Sequence, residues 1–139
     1  MSYSVELLNI RKEYGTVIAN DDITIRAKKG TVTCIVGENG AGKSTLMNIL
    51  YGLEQPTAGE IYIEGKKVVF HSSRDAIKMK IGMVHQHFML ADELSVLENI
   101  VIGMEPRNGM FLDYKKAERQ LEELEAAYDM KVELHALAG

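Results

Sequence analysis

Thr31-Val32-Thr33-Cys34-Ile35-Val36-Gly37-Glu38-Asn39-Gly40-Ala41-Gly42-Lys43-Ser44-Thr45-Leu46 decides the reading of this chain. Residues 31–36 are β-branched and almost uncharged, the pattern of a strand buried on both faces at the centre of a parallel sheet. Residues 37–44 satisfy G-x-x-x-x-G-K-[ST], and Leu46, Ile49 and Leu50 then recur at helical spacing up to Gly52. The order is strand, glycine-rich loop, helix. Its glycines let the backbone curl around an anion, and the successive N–H groups of the loop and of the helix start can point at one phosphate cluster. From the chain's own composition such a match arises by chance on the order of once in 150 chains of this length, before the flanking strand and helix are demanded. The residues expected to hold phosphate are Gly37, Glu38, Asn39, Gly40, Ala41, Gly42, Lys43, Ser44 and Thr45. Lys43 is expected on the β- and γ-phosphate oxygens, Ser44 on Mg²⁺, and the Thr45 N–H on the α-phosphate.

Upstream of the loop, residues 5–10 and 21–27 alternate as two antiparallel strands, with Asn20-Asp21-Asp22 supplying turn chemistry before the second. Downstream, Glu60–Glu64 and Lys67–Phe70 flank Gly65-Lys66 as a hairpin. Ser72 or Ser73 caps a short helix to about residue 80, and Ile81-Gly82-Met83-Val84 reads as a second buried strand ending at His85-Gln86-His87. Ser95 with Glu98 forms a capping box for a helix over 96–103. Asp113 caps a longer helix with Tyr114, Ala117, Leu121, Leu124 and Tyr128 on one face. From about residue 90 onward the pattern is helical.

Composition narrows the functional classes. The 139 residues, 46% hydrophobic, suffice for one domain or part of a larger one. A net charge of −4, from 20 acidic against 16 basic side chains, gives no footprint for a nucleic-acid backbone. The single cysteine, Cys34, lies in an apolar run and reads as a buried thiol in a reducing compartment. No stretch has the length and apolarity of a membrane span, and the N-terminus lacks signal-peptide character, so membrane contact is expected through a partner. His85 and His87 stand at i, i+2 without a Cys, Asp or Glu cluster, which argues against zinc.

Along essentially its whole length the chain resembles the ATP-binding subunits of ABC transporters. The resemblance implies an α/β fold with a P-loop NTPase (RecA-like) core, an N-terminal antiparallel β portion and the start of an α-helical subdomain. Residues 1–139 would then be the N-terminal part of one ATP-binding domain, with residues 1–88 carrying the β portion, phosphate loop and core strands, and 89–139 opening the helical subdomain. Tyr14, in Arg11-Lys12-Glu13-Tyr14-Gly15, matches the family's adenine-stacking aromatic. Gln86 matches the glutamine that ligates Mg²⁺, positions the attacking water and starts a loop contacting the transmembrane subunits. Lys43 and Gln86 are thus the catalytic candidates, and Ser44 and Gln86 the metal ligands, for ATP and Mg²⁺.

The stretch GMVHQHFMLADELSVLENIVIG, residues 82–103, is similar to importers of simple sugars and nucleosides, which carry two ATP-binding halves in tandem. Implied partners are transmembrane permease subunits, a second ATP-binding domain and, indirectly, a solute-binding protein, at the cytoplasmic face of the membrane. The family's signature motif, acidic Walker B strand and switch histidine find no place here, so a truncated chain without ATPase turnover of its own is expected. Phe88–Glu93 imitates the acidic strand, but it begins two residues after Gln86 and leaves no crossover helix to return the chain to a parallel sheet. A stand-alone P-loop kinase or GTPase is the alternative. It is weakened by the lack of an Asn-Lys-x-Asp element and of a task for the hairpin and Gln86.

Overall fold

The computed structural model describes residues 3–85, 90–104, 106–108 and 111–138. Gln86, together with His87, Phe88 and Met89, lies outside the described residues. The chain divides into two compact units, Met1–Val84 and His85–Gly139.

In the first unit, β1 (Tyr3–Tyr14) and β2 (Val17–Lys28) are each 12 residues long, paired antiparallel around a turn at Gly15-Thr16. The turn chemistry assigned to residues 20–22 therefore falls inside a strand. Asn9 and Asp22 instead take left-handed backbone at a break in register, where the Asn9 amide donates to Asp22 Oδ1 at 2.6 Å. This bulge interrupts the alternation, which explains why the sequence shows two shorter strands. β3 (Ala58–Ile63) pairs with β1, and β4 (Lys66–Val68) with β3, through a two-residue turn in which Glu64 and Gly65 both have positive φ. The sheet order is β2-β1-β3-β4, all antiparallel.

Helix α1 (Lys43–Leu50) buries Leu46 and Ile49 in a core with Leu7, Ile10, Ile61 and Ile63, joined by Phe70 and by Ala76 of α2 (Ser73–Lys78). Full burial of aliphatic side chains of this size contributes about 1.5–3 kcal/mol each. That core ties the helix behind the phosphate loop to the sheet.

Residues 31–36 and 81–84 correct the sequence reading. Neither stretch forms a strand in the described structure. Ile35 and Ile81 pack against the core, but Val32 is 94% exposed, Val36 93% and Val84 82%. Cys34 is likewise exposed rather than buried. One side of the 31–36 run thus meets the core while the other meets no strand, and a ladder exists only where a neighbour supplies donors and acceptors.

The second unit contains α3 (Val96–Val101), a short ladder of β5 (Arg107–Asn108) with β6 (Phe111–Leu112), and α4 (Tyr114–Tyr128). The ladder corrects the expectation of helix throughout. Asp92 and Glu93 lie in a turn, not at the end of a strand. Both caps form: the Asp113 side chain accepts from the Lys116 N–H, and Ser95 and Glu98 make the full reciprocal box. Ala117 is buried on α4, whereas Leu124 and Tyr128 on the same stripe are exposed.

Two expected results follow for the cap. Ser95→Ala should destabilise the second unit by about 1 kcal/mol in denaturant unfolding. The backbone N–H and then the hydroxyl of Ser95 hold the Glu98 carboxyl below the ordinary glutamate range. A depressed pKa makes this contribution full above that range and lost as pH falls through the folded-state value. An acid titration of helicity should therefore show a component that Glu98→Gln removes.

Candidate nucleotide-binding site

The phosphate loop leads from the exposed end of the 31–36 run into α1. Its geometry follows from Gly42, the residue capping that helix. Gly42 has φ +77°, and a Cβ there would stand 2.1 Å from the Ala19 carbonyl oxygen and 2.7 Å from Asn20 Nδ2. The loop backbone thus lies directly on β2, and only glycine allows both the dihedral and the approach. Asn20, 4% exposed, donates from Nδ2 to the Gly42 carbonyl at 3.2 Å, while its Oδ1 has no partner.

Gly42 offers no side-chain oxygen to α1, and the helix has no side-chain cap hydrogen bond. The N–H groups of Lys43, Ser44 and Thr45 in the first turn are the donors that a helix cannot satisfy internally. Aligned peptide dipoles add positive potential at the same end. Within the loop, the Ala41 N–H donates to the Glu38 carbonyl at 3.2 Å, closing the turn. Lys43 arches back so that its Nζ donates to the carbonyls of Gly37 at 2.7 Å and Glu38 at 2.6 Å. The ammonium group and the uncapped helix start therefore belong to one short loop. This arrangement fits an anionic, phosphate-sized group, and Ser44 in the first turn of α1 carries a hard oxygen donor of the kind that suits Mg²⁺.

Tyr14, the last residue of β1, is 45% exposed. Its hydroxyl donates to Glu54, and Lys12 Nζ lies 4.9 Å from its ring centroid. The Glu54 hydrogen bond, above all, raises the Tyr14 phenol pKa, and the Thr45 side chain at the start of α1 pulls the other way. The same bond lowers the Glu54 carboxyl, with Lys12 adding to it. A cavity of about 470 Å³ between Ser4, Ile63 and Lys80 shares no residue with the phosphate loop or with Tyr14.

Residues 20–138 match the family model described as ABC transporter. The chain belongs to the ABC transporter family. It is 46% identical, over its whole length, to the guanosine import ATP-binding protein NupO of Bacillus subtilis, and covers 27% of that protein. It is 45% identical over 96% of its length to the nucleoside import ATP-binding protein NupA of Lactococcus lactis, covering 26% of it. The galactose/methyl galactoside import ATP-binding protein MglA of Clostridium perfringens is 42% identical over 92% of the chain, which spans 25% of that protein. The chain thus spans about a quarter of the length of the curated relatives it matches.

Among solved structures, a nucleotide-free ATP-binding cassette from an ABC transporter superposes with a TM-score of 0.75 at 29% identity, covering 90% of this chain and 53% of that one. The ADP conformation of another cassette, MJ1267, gives 0.72 at 28% identity, covering 100% and 60%. The fold is that of the P-loop ATPase cassettes, and the stand-alone kinase or GTPase reading is set aside. Among the described residues no helix is long and apolar enough to cross a membrane.

Sequence reasoning missed three residues that shape this site. Lys12 could have been found, because i and i+2 on a strand share a face with Tyr14. Asn20 was legible only as turn chemistry ahead of a strand, whereas it lies inside β2. Glu54 stands 40 residues from Tyr14 in sequence and gives no local signal.

Proposed function

We propose that this chain binds Mg²⁺-ATP through residues 37–45 as part of the energy-coupling subunit of an importer for nucleosides or simple sugars. The observation that carries the reading is the uncapped start of α1, held against β2 at Gly42, with the Lys43 ammonium folded over the same loop. In this arrangement the backbone N–H groups of Lys43, Ser44 and Thr45 receive phosphate oxygens, and Lys43 exchanges its carbonyl partners for the β- and γ-phosphates. Ser44 and Gln86 would hold Mg²⁺, which when bound neutralises charge between the phosphates. Tyr14 stacks on the adenine.

The solute class rests on the relatives, whose names specify import of guanosine, nucleosides and galactosides. In the whole protein, the same site is proposed to hydrolyse ATP at the cytoplasmic face of the membrane. Its partners would be permease subunits reached through the segment after Gln86 and a second ATP-binding domain, with a solute-binding protein acting indirectly. Residues 1–88 would form the nucleotide-binding portion, and 89–139 the start of the helical subdomain.

Calorimetric titration of the chain with ATP, in Mg²⁺ and again in EDTA, tests the proposal. Saturable binding that weakens without Mg²⁺ is the expected result. Absence of binding at millimolar ATP would count against it. Phosphate release by this chain alone is expected at background level.

A further inference from the structure

The segment after α1 doubles back along the end of β1 and makes a dense set of polar contacts there. The Thr57 N–H donates to the Arg11 carbonyl at 2.7 Å, and the Glu13 N–H to Thr57 Oγ1 at 3.1 Å. Lys12 Nζ donates to the Gln55 carbonyl at 2.8 Å and lies 3.3 Å from the Glu54 carboxylate. That carboxylate also accepts the Tyr14 hydroxyl, while the Lys12 ammonium sits over the Tyr14 ring. Glu54 thus grips the tyrosine twice, once through its hydroxyl and once through the cation over its ring.

A half-exposed tyrosine at a hairpin tip would ordinarily sample several rotamers. Here the hydroxyl and one ring face are committed to Glu54 and Lys12, neither of which lies in the phosphate loop. Fixing a ring before a ligand arrives removes the ordering cost from the binding step. Because the Glu54 N–H donates to the Asn48 carbonyl of α1 at 3.3 Å, Glu54 is tied to the helix that starts at the phosphate loop and also sets the ring relative to the phosphate-binding end.

We propose that Glu54, acting with Lys12, is a positioning residue for the nucleobase, locking the Tyr14 ring as a preformed stacking platform. The inference rests on the reading of Tyr14 as the base-stacking residue. It is specific about what Glu54 does: it acts on the base through Tyr14 and has no part in gripping phosphate.

The test compares ATP with inorganic tripolyphosphate, which carries the phosphates without a base, both titrated into the full chain with Mg²⁺. Glu54→Ala is expected to weaken ATP about three- to tenfold and to leave tripolyphosphate unchanged within about twofold. Tyr14→Phe, which keeps the ring and removes the hydroxyl, should weaken ATP in the same direction. Tyr14→Ala should weaken ATP at least as much, and adding Glu54→Ala to it should cost little more. Equal loss for both ligands, no loss of ATP affinity, or a full further loss in the Tyr14→Ala background would overturn the proposal. Should Glu54→Ala fold poorly, Glu54→Met and Tyr14→Phe carry the same comparison, since each removes the hydrogen bond and neither empties the contact. A wild-type chain whose binding of both ligands ignores Lys43→Ala would instead defeat the nucleotide-site reading. Lys43-dependent binding with an inert Glu54 defeats only the inference made here.

Discussion

Lys43→Ala is expected to weaken Mg²⁺-ATP binding by roughly a hundredfold or more while leaving the fold intact. Among the described residues the half-buried Lys43 donates its exposed ammonium hydrogen bonds to backbone carbonyls of its own loop. Its removal strands no buried charge, and surface changes of this kind usually fall within about 0.5 kcal/mol of neutral. In the proposed complex the same group makes charge-assisted bonds to two phosphates, each contributing about 1.5–3 kcal/mol. The two together correspond to a loss of roughly 3–6 kcal/mol in affinity. Calorimetry with ATP, beside thermal unfolding of the unliganded variant, checks both halves. Unchanged affinity would remove Lys43 from the site.

Gly42→Ala is expected to damage fold and binding together. Its left-handed backbone costs an alanine about 1–2 kcal/mol, and the new methyl would meet the Ala19 carbonyl oxygen at 2.1 Å. Backbone cannot give way as a flexible side chain does, so α1 or β2 must move. Overpacking of this type adds about 1–3 kcal/mol. The Asn20 bond to the Gly42 carbonyl would be disturbed as well, leaving a buried amide with less than its present single partner. Gly40→Ala is the control. Gly40 has a similar φ of +84°, but its Cβ would meet nothing within 4 Å. Denaturant unfolding should therefore show a modest loss for Gly40→Ala and a loss larger by about 1–3 kcal/mol for Gly42→Ala, with ATP binding abolished only in the latter. Equal losses would show that dihedral strain alone accounts for both.

Much of this site was readable because its determinants are local. A glycine at the helix cap, the lysine and serine after it, and the apolar spacing of Leu46 and Ile49 all lie within a few residues. The hydrogen bonds they specify span the same short distance. The Ser95–Glu98 box and the Asp113 cap formed as expected for the same reason. So did the hairpin of β3 and β4, although its turn residues are Glu64 and Gly65 rather than Gly65 and Lys66. The bulge at Asn9 escaped notice because it depends on Asp22 and Thr24 across the sheet.

By itself, then, the sequence determined the phosphate-type loop, the start of the helix behind it and the caps of α3 and α4, since each is settled by residues within one turn of each other. Tertiary structure decided the rest. An apolar run such as 31–36 states a preference for burial but names no partner, and without a paired neighbour it keeps Val32, Cys34 and Val36 at the surface. Likewise the approach of Ala19 and Asn20 to Gly42, and of Glu54 to Tyr14, joins residues more than 20 positions apart. Contacts across such separations exist only once packing of α1 on the sheet has closed the intervening loop, so no local pattern can announce them.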